Sequence, residues 1–525
     1  MLKVVNGPEV VIGLVGAVGA QLDDIFERLQ KHLEAIGYES DHIKVIELLE
    51  EMQLPRYSGA FGSDHKGNSY HWKMNAGNDL RRVLTSSDAL AKLAIRRIRE
   101  TRTAWNLSMK RPVEQPIPSR AYVLNSLKRP EEVNLLRDVY GDSFHLISAY
   151  ATRDRRKQEL EKRIGDSKIK ASEDPEAIAE ELIRRDLREK DEEYGQKVRD
   201  TFPEADFFVD ATTGKGIDQP IDRFVQLLFG NEFLSPSKDE LGMFIAFGAR
   251  LRSADLARQV GASIMSKRGD IIAIGANDVP RSGGGQYWAD DELTNPEDDG
   301  RDFVSGRDES NVRRRKIFSD TVDLLQERGI IDLSTAEKLN GAEAFAALRD
   351  GKLMAVTEYG RSVHAEMAAI TDSARRGSAI AASVLYTSTF PCHNCAKHIV
   401  AAGVERVVYV HPYPKSEVAA MYKDSISIDA DSPSRRVNFQ TFVGIAPRRY
   451  EDFFVMKQKR KDDGGKVLKW GVHPKTVVLR METSPLLYLR NEGVAVDDLE
   501  ALLVSQNLRL NTNVEPWKLG VKEES

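Results

Sequence analysis

Four side chains carry the chemistry this sequence most plainly implies: His364, Glu366, Cys392 and Cys395. The cysteines are the only 2 in 525 residues, and they stand as Pro391-Cys392-His393-Asn394-Cys395, downstream of His364-Ala365-Glu366. A histidine and two thiolates make three zinc ligands and leave the fourth tetrahedral position to water. Zinc brings such a water's pKa to about 7, and a carboxylate beside it can move protons between water, substrate and leaving group. The pattern H-x-E…P-C-x-x-C therefore implies a hydrolytic Zn²⁺ site, with His364, Cys392 and Cys395 as metal ligands and Glu366 as the catalytic acid–base. A closed structural site would need a fourth Cys or His at similar spacing. No further Cys exists, and His393, His398 and His411 do not repeat the pattern. A thioredoxin-like pair would have no need of the upstream H-x-E. His393 and Asn394 are spacers or pocket wall.

These side chains need two helix starts. Cys392 and Cys395, three apart, face the same way on a first turn. Pro391 fits at or just ahead of it, and Ala396–Ala402 continues the helix to Gly403. Thiols at a helix N-terminus have depressed pKa values, which suits metal binding. His364 and Glu366 would diverge in mid-helix, but at a helix start both can point along the axis toward one ion. The Ala-rich stretch 367–375 supplies that helix.

A chain of 525 residues, 41% hydrophobic, holds two or more domains. Its net charge of -5 offers no bulk attraction to nucleic acid or anionic membrane. Two cysteines at metal spacing argue for a reducing setting rather than a disulfide framework. No apolar run reaches a membrane span and no cleavage signal follows Met1, so the expected location is cytoplasmic, with no membrane partner.

At the N-terminus an apolar run from Val10 ends in glycines, and apolar residues from Leu22 to Ile36 then recur at helical spacing. Strand, glycine loop and helix form the geometry that cradles phosphate, so Gly13, Gly16 and Gly19 are candidates for a phosphate-binding loop. Ala20 and Gln21 stand where such a loop carries Lys and Ser or Thr, and no Lys occurs between residues 4 and 30. Kinase activity is therefore not expected. Strands are predicted at 122–124, 144–147 and 207–210, with a helix near 130–139, which implies a largely parallel α/β layer. The charged stretch 153–199 is predicted to be a solvated helical face, with Arg153, Arg155 and Arg156 placed where a phosphate lid could begin. Residues 59–77 read as a loop.

Ser235-Pro236-Ser237 marks a domain boundary. Beyond it, 253–265 is predicted helical from Leu256, Val260 and Ile264, and 270–275 a buried strand. Residues 281–350 form an insertion. Strands at 384–387, 407–410 and 437–443, with a helix near 417–422, complete the second half, and residues 451–525 stay unassigned.

Residues 240–445 resemble the deoxycytidylate deaminase family. The matches are Ser253-Ala254-Asp255-Leu256-Ala257-Arg258-Gln259-Val260-Gly261-Ala262, the strand ending in Gly275-Ala276-Asn277, His364-Ala365-Glu366 and Pro391-Cys392-His393-Asn394-Cys395-Ala396-Lys397. The whole chain resembles two-domain phage-defence deaminases of bacteria. The resemblance implies a P-loop-kinase-like parallel α/β domain (1–235), regulatory in role. It is followed by a cytidine-deaminase-like α/β/α sandwich (240–450, with the insertion 281–350) and a C-terminal extension (451–525). It further implies deamination of dCTP or dCMP to dUTP or dUMP in antiviral defence, and substrate contacts from Asn277, Ala365 and Phe390. Free deoxycytidine nucleotides, a homo-oligomer and a nucleotide or RNA regulator are the partners it suggests. Arg281, Lys415 and Arg361 are candidate phosphate contacts by position, whereas Arg313-Arg314-Arg315-Lys316 reads as a solvated patch. Two alternatives remain open: an editing deaminase on single-stranded DNA or RNA, and a zinc-stabilised regulatory or RNA-binding protein without catalysis. The first would need a basic groove with aromatic platforms. The second has no use for Glu366.

Overall fold

In the computed structural model the apolar run 10–16 is strand β1 (Val10–Gly16), buried at every position, followed by β2 (Glu39–Lys44), β3 (Arg120–Asn125), β4 (Phe144–Tyr150) and β5 (Phe207–Asp210). The structure describes residues 7–51, 66–166, 174–187, 189, 193–212, 216–293, 295, 298–347, 351, 359–413, 416–429, 435–471, 477–481 and 484–508. The chain divides into two units: Met1–Pro236 with Val443–Ser525, and Ser237–Phe442.

In the first unit the five strands are mutually parallel, in the order β5-β4-β1-β3-β2. Parallel strands are covered on both faces, which is why β1 reads as an unbroken apolar run and β4 is buried from Phe144 to Ala149 even at His145 and Ser148. Helices Leu22–Ala35 and Asp218–Leu228 bury Ile25, Leu29, Ile221 and Phe224 in one core, while Ala89–Ser108 and Pro130–Tyr140 contribute Leu93, Ile98, Val133 and Leu136 to another.

The second unit forms a six-stranded sheet from β6 (Gly261–Met265), β7 (Ile271–Ala276), β8 (Val384–Thr389), β9 (Arg406–His411), β10 (Ile426–Ile428) and β11 (Val437–Thr441), ordered β10-β11-β9-β8-β6-β7. Only β6 runs antiparallel to its neighbours. Two glycines show how helices cover both faces. A Cβ on Gly275 would meet Ala365 O at 2.2 Å, and one on Gly261 would meet Ala246 O at 2.0 Å. Gly275 pairs with Ala262, not Gly261, so the two glycines point to opposite faces. Helix Ala365–Arg375 therefore packs on one face and Lys238–Arg250 on the other, giving an α/β/α sandwich.

The chain then re-enters the first unit. β12 (Gly444–Ile445) pairs antiparallel with β5, and helix Pro485–Ser505 packs on Ala89–Ser108 and Pro130–Tyr140. Residues 443–450, grouped by sequence with the second domain, thus lie in the first unit, as does the described part of the unassigned extension. The anchor is a buried charge cluster. Arg102 donates to Glu9 at 2.9–3.1 Å and to Glu492 at 2.6–2.9 Å, and Tyr488 donates to Glu9 at 2.9 Å.

Two local expectations are corrected. The helix predicted at 253–265 is instead a loop followed by β6. Leu256 is exposed while Ile264 is fully buried in the sheet, so their helical spacing joins two unrelated structures. Residues 66–77 of the predicted loop belong to helix Lys66–Leu84, where a Cβ on Gly77 would meet Leu90 at 3.5 Å; residues 59–65 lie outside the described residues. Among the described residues no helix is long and apolar enough to cross a membrane.

Candidate metal and active site

Two helix starts meet at the centre of the second unit. His364 is the N-cap of Ala365–Arg375, with extended backbone, and Cys392 is the N-cap of His393–Ala401. Cys392 Sγ accepts from Cys395 N at 3.4 Å, the usual capping contact made by sulfur. His364 Nδ1 lies 3.3 Å from both Cys392 Sγ and Cys395 Sγ. Tetrahedral zinc, with Zn–S of about 2.3 Å and Zn–N of about 2.05 Å, sets N and S about 3.5 Å apart. The donor set and its spacing therefore fit zinc. Among the described residues, His364, Cys392 and Cys395 are the only metal-capable group of three, with donor atoms within 4.8 Å of one another.

The two thiols share their hydrogen bond unequally. Cys395 and His364 draw the Cys392 thiol down, whereas the same hydrogen bond and burial push Cys395 up. Cys392 is therefore the donor poised as a thiolate, and Cys395 is the one that a bound cation would have to deprotonate. Glu366 lies behind this group, 4% exposed, with Oε2 accepting from Cys395 Sγ at 3.5 Å. Burial pushes its carboxyl pKa up, which lets it carry a proton nearer neutrality than a solvated glutamate does.

A cavity of about 250 Å³ opens over the group and is lined by His364, Ala365, Glu366, Cys392, Thr389, Phe390 and Asn277. Ala365, Phe390 and Asn277, the substrate contacts expected from the sequence, all line this cavity. Phe390 is braced edge-on by Tyr409 at 4.8 Å and Phe439 at 5.6 Å, leaving it as a fixed apolar wall. Asn277 has a positioning task besides: its Oδ1 accepts from Val260 N at 2.6 Å and its Nδ2 donates to Arg258 O at 2.8 Å. It pins the backbone that carries Arg258.

The phosphate candidates separate. Arg361 lines the cavity, 2.9 Å from Asp302. Arg281 does not line it and pairs with Asp291 at 2.7 Å. Lys415 lies outside the described residues. Sequence reasoning missed Arg258 and Tyr413, whose guanidinium and ring stack at 4.7 Å, and it read Arg314 as solvated. Arg314 lines the cavity. Its neighbour Arg315 instead packs over Phe345.

The glycine loop of the first unit is occupied by the chain itself. Gly13 is a packing residue inside β1, where a Cβ would meet Leu127 at 2.8 Å. Gly16 ends β1, and Gly19 has φ +87 and sits against Arg156 O. Val18 N donates to the fully buried Asp186, whose other oxygen holds Lys128. Arg156 is likewise turned inward, with its Nε donating to Ala151 O at 3.2 Å. It is buried against the loop rather than spread on a solvated face.

Comparison with known proteins covers the second unit. Residues 236–411 match the family described as the cytidine and deoxycytidylate deaminase zinc-binding region. A probable deoxycytidylate deaminase of Drosophila melanogaster is 28% identical over 172 residues, 33% of this chain and 58% of that protein. The deoxycytidylate deaminase of Enterobacteria phage T4 is 40% identical over 55 residues, 10% of this chain and 28% of the phage protein. The chain thus spans little more than half the length of the first of these relatives. Among solved structures, the dCMP deaminase of cyanophage S-TIM5 in complex with dCMP and dUMP aligns with 40% of this chain and 100% of its own, at 18% identity and a TM-score of 0.22.

Proposed function

We propose, from the premise that the C-terminal region is a cytidine/deoxycytidylate deaminase-type domain, that the second unit hydrolyses the exocyclic amine of dCTP or dCMP. The products are dUTP or dUMP and ammonia. The observation that carries this reading is the position of Glu366, buried at a cavity wall beside three converging zinc donors that no fourth donor joins among the described residues. A structural zinc site has no need of a buried acid there.

Bound zinc supplies the Lewis acidity that brings a water's pKa to about 7. Glu366 does the proton work. It takes one proton from water and delivers it to ring N3 as the hydroxyl adds to C4. It then takes the proton of that hydroxyl and passes it to the amine nitrogen as the C4–N bond breaks, leaving a C4 carbonyl and ammonia. Phe390 and Ala365 wall the base. Asn277 faces the sugar and holds the loop beside it.

The first unit is the regulatory half, responding to a nucleotide or RNA, in a chain that works as a homo-oligomer in the cytoplasm. Support is topological: the sheet order reverses at β1, between β3 and β4, the usual ligand position in open α/β sheets, while the glycine turn itself is filled by Asp186 and Arg156. Loss of the Lys and hydroxyl of a phosphate-transfer loop argues against a kinase. The pairing of two such halves supports a role in draining the dCTP pool during phage infection. Incubation of the zinc-loaded chain with dCTP, dCMP, CTP and cytosine oligonucleotides tests the reading. Uracil nucleotides should form from the free deoxynucleotides, and conversion of oligonucleotides alone would replace this reading with the editing one.

A further inference from the structure

The cavity over the metal group has an end that the proton chemistry leaves unused. Arg258, Arg314 and Arg361 reach it from three separate segments. Arg258 and Arg361 flank the strand and helix that build the metal site. Arg314 comes from helix Glu309–Glu327 of the insertion. Tyr413 lines the same cavity, and Arg258 stacks on its ring at 4.7 Å. Each of these two insertion-side and flanking cations now rests on acceptors of the chain's own. Arg361 pairs with Asp302, while Arg314 donates to Ser310 O at 3.2 Å and Asn311 Oδ1 at 2.8 Å. Asp255 and Asp308 line the cavity with them, so with Asp302 three carboxylates stand among the three guanidiniums.

Resting on the deaminase reading, we infer that this end is a polyphosphate clamp, and that Arg314 is the specificity-determining residue that makes a nucleoside triphosphate the preferred substrate over a monophosphate. A guanidinium fork matches two phosphate oxygens. Arg258 and Arg361, fixed beside the metal-site motifs, suffice for one phosphoryl group. A third fork on a separate helix has work only when the phosphate chain continues past them. Replacing Asp302 as the partner of Arg361 also favours a ligand carrying several negative charges over one carrying two.

The test uses the full-length, zinc-loaded protein and measures kcat/KM for dCTP and dCMP. A charged hydrogen bond contributes about 1.5–3 kcal/mol, so Arg314→Gln should lower kcat/KM for dCTP by about 10- to 100-fold, chiefly through KM. The dCMP value should stay within about 3-fold. Arg314→Lys, which keeps the charge and loses the fork, should fall between the two, and it decides the matter where the Gln variant does not fold. Inorganic tripolyphosphate should bind wild type more tightly than Arg314→Gln in calorimetry. Equal losses on both nucleotides, or none on either, overturn the clamp while leaving the deaminase reading intact. A wild-type protein that deaminates neither nucleotide brings down that reading and the clamp with it.

Discussion

Val18 donates its backbone N–H to Asp186 Oδ2 at 2.6 Å, and the other oxygen of the same carboxylate takes Lys128 Nζ at 2.9 Å. A glycine turn of the type that elsewhere faces phosphate is therefore filled by an anion from helix Pro175–Leu187. Asp186→Ala leaves Lys128 with Gly16 O, 2.9 Å away, but without its counter-charge. Removing one partner of a buried pair is strongly destabilising, and the expected loss is about 3 kcal/mol, read as a lower urea midpoint for the first unit. An unchanged midpoint would show that the carboxylate does not hold the turn.

The cluster Glu9–Arg102–Glu492 fixes the returning helix Pro485–Ser505. Arg102→Met should destabilise the first unit by about 3–5 kcal/mol, because two buried carboxylates then lose their shared cation. Adding Glu492→Leu should recover part of that loss, since an apolar pair can replace a buried ion pair. Urea titration of both variants is the check, and a double variant less stable than the single one contradicts the expectation.

His145 is fully buried in β4, between Phe224 and Phe453, and neither ring nitrogen has a hydrogen-bond partner. Burial, with the nearby Arg449 charge, depresses its pKa to about 3. The unfolded chain binds a proton near pH 6.5 and the folded one does not, so stability falls as pH drops from 6.5 toward 3. At pH 5 the cost is on the order of 2 kcal/mol. His145→Leu should therefore stabilise the first unit more at pH 5 than at pH 8, measured as the shift in urea midpoint. A gain independent of pH would mean that the imidazole titrates as it does in water.

The metal group was legible because few side chains can ligate zinc, and His364, Cys392 and Cys395 carry that restriction in their identity. β1, β3, β4 and β5 were legible because parallel strands buried on both faces leave apolar runs. β6 was not, since Leu256, Val260 and Ile264 imitate a helical stripe across a loop and a strand. Arg314 was hidden for a different reason: a cation in a basic run looks the same whether its neighbours face water or one of them faces a cavity. The return of the chain to the first unit rests on a strand of 2 residues and on a helix whose buried side holds Glu492 while Leu486, Val494 and Val504 are exposed. No amphipathic pattern announces such a helix.

Metal removal should separate structure from chemistry. Cys392→Ala and Cys395→Ala should each lose bound zinc, because the remaining two donors cannot hold the ion against water. Zinc content by atomic absorption should fall below a tenth of an equivalent, and melting of the second unit should drop by several degrees. Either variant retaining one zinc per chain would move the metal away from this group.

The central claim is that Glu366 carries the protons for hydrolysis at the zinc group. Glu366→Gln, assayed for ammonia release from dCTP and dCMP with zinc content measured on the same sample, tests it most directly. The account predicts one zinc per chain, an unchanged melting temperature and turnover reduced by about 10²- to 10⁴-fold. Wild-type turnover at full zinc occupancy would contradict it.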